Sequence, residues 1–281
     1  MAYARLIVRA IALSVLTVAV YAVLRFGLPV TNRSSRRKAR LQALMLNRWA
    51  QISAFILGLK IDASCNAPGA PFLLVSNHLS YLDVVVLASR LECIFVAKKE
   101  VESWPIIGAL SRSVGTIFVD RSNRRDLARV NAEIARALAD GRGVILFVEG
   151  TSTRGSSVLP FRSSLLEAAA RRGFPVSFAA VSYSVLAHDP PASLSVCWWG
   201  DMTFGSHFVG LLRLTRIQST VTFGADQLRA DDRKVLADRL WFEVNSLFVP
   251  VKPAMANSRL KPFDSEPGIG VEEQCNAATR W

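Results

Sequence analysis

The sequence predicts an α/β domain with helices packed on a central sheet, preceded by an N-terminal membrane-associated helical segment. Two observations predict it: short apolar runs alternate with longer helical patterns from residue 72 onward, and an uncharged apolar run, Ala10 to Leu24, lies near the start. Composition agrees, because 281 residues with 51% hydrophobic and 20% charged side chains and a mean hydropathy of +0.28 exclude a disordered chain and lean toward lipid contact. The 34 basic and 22 acidic side chains leave +12 and a pI near 10.2. Such a field attracts anions of any kind, whether nucleic acid, lipid headgroup or phosphorylated substrate.

The apolar run is flanked by Arg9 and Arg25. Its 15 or so helical residues reach roughly 22 Å, short of a ~30 Å hydrocarbon core unless both arginines snorkel. A single span and a helix dipping into one leaflet both satisfy this, and a cleaved signal peptide shares the pattern. A basic cluster follows at Arg33, Arg36, Arg37, Lys38 and Arg40, which predicts that what comes after stays on the cytoplasmic face of the inner membrane. Next, Leu41, Leu44, Met45, Trp49, Ile52, Phe55, Ile56 and Leu59 recur at helical spacing, so this helix either lies at the bilayer interface or packs on a core. Residues 1–61 form the predicted anchoring segment.

The turn Asn66-Ala67-Pro68-Gly69 opens the domain, 62–249. Predicted strands are Phe72 to Val75, Ile94 to Ala97, Thr116 to Val119, Val144 to Val148, Val176 to Val181, Leu194 to Trp198 and Ser219 to Phe223; predicted helices are Val84 to Arg90, Arg124 to Ala139, Ser163 to Arg172, Phe204 to Leu214 and Asp232 to Phe248. A Pro-, Ser- and charge-rich stretch, 250–281, reads as a loosely held tail. The four cysteines lie far apart without metal-ligand spacing, so idle thiols and no metal are expected.

Directly after the first domain strand, Ser76-Asn77-His78-Leu79-Ser80-Tyr81-Leu82-Asp83 sets a His and an Asp five positions apart. In a continuous helix they would diverge by about 140°. They meet only if His78 sits in a loop and Asp83 in the first turns of the next helix, where the carboxylate takes Nδ1 and leaves Nε2 free. That is the base and orienter of a nucleophilic triad without its nucleophile. Further on, a strand runs into Glu149-Gly150-Thr151-Ser152-Thr153-Arg154-Gly155, a small-residue loop whose N–H groups can hold an anion and whose Arg154 can fork onto phosphate.

Asn77-His78 with Asp83, then Gly115-Thr116-Ile117-Phe118-Val119-Asp120-Arg121, Phe147-Val148-Glu149-Gly150-Thr151, and Phe161-Arg162 with Pro175-Val176 resemble, in that order, the signatures of the glycerolipid acyltransferase family. The resemblance implies a central mixed sheet flanked by helices, with His78 as general base on an acceptor hydroxyl and Asp83 holding its imidazole. It also implies that Asn77, Arg121, Glu149, Gly150, Thr151, Arg154 and Arg162 bind substrate. Acyl-CoA or acyl carrier protein would be the co-substrate, with no other cofactor and no metal. A thioester is already activated, so a base worth ~10² to 10⁴-fold plus positioning suffices.

A membrane lipid is the implied acceptor, first 1-acylglycerol-3-phosphate and alternatively a lyso-ornithine lipid. The alternative arises because Ser152 stands where phosphate-specific members commonly place Arg, and because residues 155–166 resemble the lyso-ornithine branch. A serine-dependent lipid hydrolase is the more distant alternative: Gly150 to Gly155 carries its second Gly one position too late for a nucleophile elbow. No nucleic-acid motif accompanies the basic charge, so no nucleic-acid partner is expected.

Overall fold

The computed structural model describes residues 2–30, 35–64, 67–120 and 122–252. Two helices come first, α1 (Ala2–Val30) and α2 (Ser35–Leu57), followed by β1 (Leu59–Ala63), β2 (Phe72–Ser76), α3 (Leu82–Arg90), β3 (Cys93–Lys98), α4 (Ile107–Ser113) and β4 (Ile117–Val119). Then come α5 (Arg124–Ala139), β5 (Gly143–Phe147), α6 (Glu167–Arg171), β6 (Val176–Val185), α7 (Ala192–Ser195), α8 (Phe204–Arg213), β7 (Ile217–Phe223) and α9 (Arg233–Leu247). The strands join one seven-stranded sheet in the order β1-β7-β6-β2-β5-β3-β4, parallel throughout except for the β6–β7 pair.

Burial follows position in this order. β2 lies between β6 and β5, and all five of its residues, Phe72-Leu73-Leu74-Val75-Ser76, are buried, as a parallel strand covered on both faces requires. β7, next to the edge, alternates buried Ile217, Ser219, Val221 and Phe223 with more exposed neighbours. Helix α2 packs on both α1 and α3, and α6 on both α5 and α9.

Four sequence expectations change. The strand expected at Leu194 to Trp198 is instead α7 followed by irregular chain. Pro190-Pro191 presets the helix start, and the Ser195 hydroxyl donates back to both proline carbonyls. The boundary at 61 falls inside β1, which pairs with β7 and belongs to the sheet; its first residue, Leu59, continues the helical spacing of the segment before it. α4 was not foreseen. Of the expected loose tail, Val251 is buried and donates its N–H to Gly155 at 2.8 Å; residues 253–281 lie outside the described residues.

α2 is a core helix. Leu46, Ala50, Ala54 and Leu57 are buried, and Asn47 Nδ2 donates to the Ala88 carbonyl of α3 at 2.7 Å. Ile52 and Phe55 remain exposed. α1 lies against α2, with Trp49 Nε1 donating to Thr17 Oγ1 at 3.1 Å and Leu24 fully buried, while Ile7, Val8, Ile11, Val15, Val18 and Phe26 face outward.

Arg9 does not snorkel. It is buried, and its Nη1 donates to the carbonyls of Leu212 (3.2 Å) and Leu214 (2.7 Å), while Arg5 Nη1 donates to the Arg213 carbonyl at 2.8 Å. Two guanidiniums thus cap the C-terminal carbonyls of α8, where positive charge opposes the helix dipole. Arg9→Ala should lower the melting temperature of the detergent-solubilised chain by several degrees, because hydrogen bonds from a charged donor are worth ~1.5 to 3 kcal/mol each. Arg9→Lys should recover part of the loss, and an unchanged melting temperature in Arg9→Ala would refute the capping role.

Candidate active site

The loops that follow β2 and β5 meet at the carboxyl edge of the sheet, because the two strands are parallel neighbours in register from Phe72↔Gly143 to Ser76↔Phe147. Crevices outside the carboxyl ends of parallel strands are where open α/β sheets place ligand chemistry.

His78 sits in the loop after β2, and Asp83 is the second residue of α3. Their spacing closes as the sequence required: His78 Nδ1 lies 2.7 Å from Asp83 Oδ2. The same oxygen accepts the N–H groups of Leu79 (2.7 Å) and Ser80 (3.0 Å), and Oδ1 accepts the Tyr183 hydroxyl at 2.7 Å. Asp83 is fully buried. These donors replace the water it has lost, fix its rotamer, and so fix the imidazole. His78 stacks on Phe147 with centroids 4.2 Å apart and 15° between planes, leaving its side chain 22% exposed. With Nδ1 held by Asp83, Nε2 is the nitrogen free to take a proton.

Glu149 was expected to bind substrate; the structure buries it and turns it inward. Oε1 accepts the His78 N–H at 2.6 Å, and Oε2 accepts the Leu159 N–H at 2.8 Å. The Thr153 N–H donates to the His78 carbonyl at 3.0 Å. The loop after β5 therefore grips the His78 backbone from both sides. Burial pushes the Glu149 carboxyl up from 4.5 to about 7, against the pull of its two backbone bonds.

Asn77 is corrected likewise. It is fully buried, with Nδ2 donating to the Val181 carbonyl at 2.9 Å and Oδ1 accepting the Val181 N–H at 2.7 Å, so it ties the end of β2 to β6. Gly150 adopts φ +83°, which strains any L side chain, and a Cβ there would stand 2.8 Å from Arg162 Nε and push that side chain aside. Thr151, Arg154 and Arg162 are exposed around the loop, with Arg154 Nε donating to Ser156 Oγ at 3.3 Å. Arg121 lies outside the described residues.

Sequence reasoning missed Tyr183, 100 positions from Asp83, and Phe147 as the stacking partner of His78; a buried tyrosine in a strand was the one signal, since its hydroxyl must find an acceptor. It also missed Tyr81, whose ring stands 5.1 Å from Phe204 and whose hydroxyl donates to His207 Nδ1 at 2.9 Å. His207 Nε2 then donates to the Cys197 carbonyl at 3.0 Å, and burial lowers its pKa, which keeps it neutral in this chain of bonds.

Two outcomes follow from this geometry. Tyr183→Phe should cut turnover about tenfold, on the order of one hydrogen bond to a charged group, with little change in acceptor KM; equal losses in both would point to general misfolding. For Glu149, whose folded pKa is raised, the proton's contribution to stability is present below 4.5 and lost as pH rises through about 7. The melting-temperature difference between Glu149→Gln and the unaltered chain should therefore shift in the variant's favour across that window, and a flat difference would contradict the burial of the charge.

The family described as Acyltransferase matches residues 59–182, from β1 into β6. A lyso-ornithine lipid O-acyltransferase of Rhizobium meliloti is 35% identical over 188 residues, 63% of this chain and 64% of that protein. Another, from Brucella abortus, is 36% identical over 191 residues, 64% of this chain and 72% of its own. A 1-acyl-sn-glycerol-3-phosphate acyltransferase of Neisseria gonorrhoeae is 28% identical over 203 residues, 72% of this chain and 79% of that protein. The crystal structure of the acyltransferase PlsC from Thermotoga maritima shares the fold at 16% identity, with a TM-score of 0.54 over 85% of this chain and 97% of that one. The chain spans about two thirds of the length of the Rhizobium and Brucella relatives, and with these matches in hand it belongs to the acyltransferase family.

Proposed function

We propose that this chain transfers an acyl group from a thioester, acyl-CoA or acyl carrier protein, to the free hydroxyl of a lyso-lipid, with His78 as general base. The observation that carries this is the 2.7 Å His78–Asp83 pair beside an open Nε2. Nε2 removes the proton of the acceptor hydroxyl as its oxygen attacks the thioester carbonyl. The resulting tetrahedral adduct expels the thiolate, which takes the proton back from His78. Asp83 steadies the imidazolium between the two transfers and is not itself protonated. No acyl-enzyme is required, and among the described residues no serine oxygen hydrogen-bonds to His78, which weighs against the hydrolase alternative.

For the acceptor we favour a lyso-ornithine lipid over 1-acylglycerol-3-phosphate, reversing the order that the sequence motifs alone suggested. Relatives bearing the former name are 35% and 36% identical, against 28% for the Neisseria gonorrhoeae phosphate acyltransferase, and Ser152 leaves the phosphate-type Arg position without a cation. Glu149 does not act as the headgroup's counter-charge, because it is buried. The phosphate reading rests on Arg154 and Arg162, exposed guanidiniums that could fork onto an anion.

The enzyme would work at the cytoplasmic face of a membrane. α1 qualifies as a span by length and apolarity over Ala2–Gly27, at a hydropathy of 2.3. However, it is pinned to the domain from Arg5 through Thr17 to Leu24. That supports a helix bedded lengthwise in one leaflet through its outward apolar face, with Arg36, Arg37, Lys38 and Arg40 at the headgroups.

His78→Ala should reduce acyl transfer at least ~10²-fold with acceptor binding nearly intact, and Asp83→Asn slightly less; near-normal turnover in folded His78→Ala protein would sink the mechanism. Parallel assays on lyso-ornithine lipid and 1-acylglycerol-3-phosphate decide the acceptor. Preference for the phosphate substrate would reverse our order, and Ser152→Arg should move the ratio toward phosphate in either case.

A further inference from the structure

At the opposite edge of the sheet from His78 lies a cleft of about 520 Å³, walled by the first turns of α2, the end of α4 and the last turns of α5. It opens where β3, β4 and β5 begin, whereas the catalytic loops leave from strand ends. The five residues of β5 separate the two by roughly 17 Å. Lys38, Arg112, Arg136 and Arg142 line it against Glu133 and Asp140, and a smaller adjoining cleft of about 280 Å³, sharing Ala39, Asp140 and Arg142, adds Arg36 and Arg40 against Glu92. Glu133 is already held by Arg129 at 2.7 Å.

We propose that this cleft is a second binding site, for a phosphate-bearing ligand, separate from the acyl-transfer centre. Arg142 forms its back wall. Its Nη2 donates to Gln42 Oε1 and to the Val114 carbonyl, each at 3.2 Å, and its buried Nε has no hydrogen-bond partner among the described residues. Gly115, at φ +81°, leaves room for it, since a Cβ there would lie 2.8 Å from Arg142 Nη2. Lys38 and Arg136, one on each wall, are exposed and make no ion pair among the described residues. Like charges gathered around a concavity repel one another, and an anion of charge −1 to −2 relieves that repulsion. The dipole of α2, whose first turns form one wall, has the same sign.

A lipid headgroup phosphate is the source that position favours, a step that rests on the membrane reading above. α2 follows α1 within a few residues, α1 and α2 lie side by side, and the outward Val23 and Phe26 place that end of the pair at the apolar boundary. A headgroup phosphate would then reach the cleft while the acyl chains lie along α1. Free phosphate has the same chemistry and is the other source to separate.

The test uses the full chain with Lys38→Glu/Arg136→Glu, and Arg172→Glu/Arg229→Glu as a control of equal charge change on exposed surface elsewhere. Binding is measured to vesicles of phosphatidylcholine alone and of phosphatidylcholine with about 30% phosphatidylglycerol. Melting temperature is measured with inorganic phosphate against chloride at equal ionic strength. We expect the cleft variant to lose about tenfold in affinity for the anionic vesicles, the control to lose far less, and turnover on detergent-dispersed acceptor to stay unchanged in both. Stabilisation by inorganic phosphate that the cleft variant alone loses would also support the site, with free phosphate as its occupant. Equal losses in both variants, or none in either together with no phosphate effect, overturn it. If the unaltered chain binds neither vesicle, the membrane reading falls and the phosphate measurement alone decides the cleft.

Discussion

The structure turns on one buried carboxylate. Desolvating an unpaired Asp83 would cost several kcal/mol, so the fold must surround it with donors. Two come from the turn that precedes α3, one from the imidazole it orients and one from β6, at 2.7 to 3.0 Å. Together they tie the loop after β2, the start of α3 and β6 to one another. The cost of burying the charge thereby becomes the rigidity of the imidazole, which is what the proposed proton transfer needs in its transition state.

Glu149 performs the same service for the backbone that Asp83 performs for the ring. Parallel pairing of β2 with β5 brings the two strand ends level, and Glu149 then links His78 to Leu159 across the gap. A residue type associated with substrate contact is here a brace, and the exposed surface around the loop is left to Thr151, Arg154, Arg162 and the edge of His78. The division makes physical sense: a carboxylate turned inward onto two backbone N–H groups organises a loop whose cations, Arg154 and Arg162, face out.

The apolar N-terminal helix α1 is part of the same construction. Arg5 and Arg9 cap α8, and α8 carries His207, which bonds Tyr81 two residues before Asp83. The apolar N-terminal segment and the His78–Asp83 site are thus joined through one helix, and the apolar segment could not be lost without uncovering the carbonyl end of α8.

The sequence by itself determined the α/β class, the order of most elements and the pairing of His78 with Asp83, because those depend on local periodicity and on a spacing that only one loop-to-helix geometry can close. It also located the loop after β5. Tertiary structure alone decided what Glu149, Asn77 and Tyr183 do, since a side chain's partner across 71, 104 or 100 positions is set by which strands become neighbours. It likewise turned Arg9 from a snorkelling flank into a helix cap, moved β1 into the sheet and made α7 of an apparent strand. Apolar patterns report how much of a segment is buried; they do not report against what, and a polar group's role is fixed by the partner that burial delivers to it.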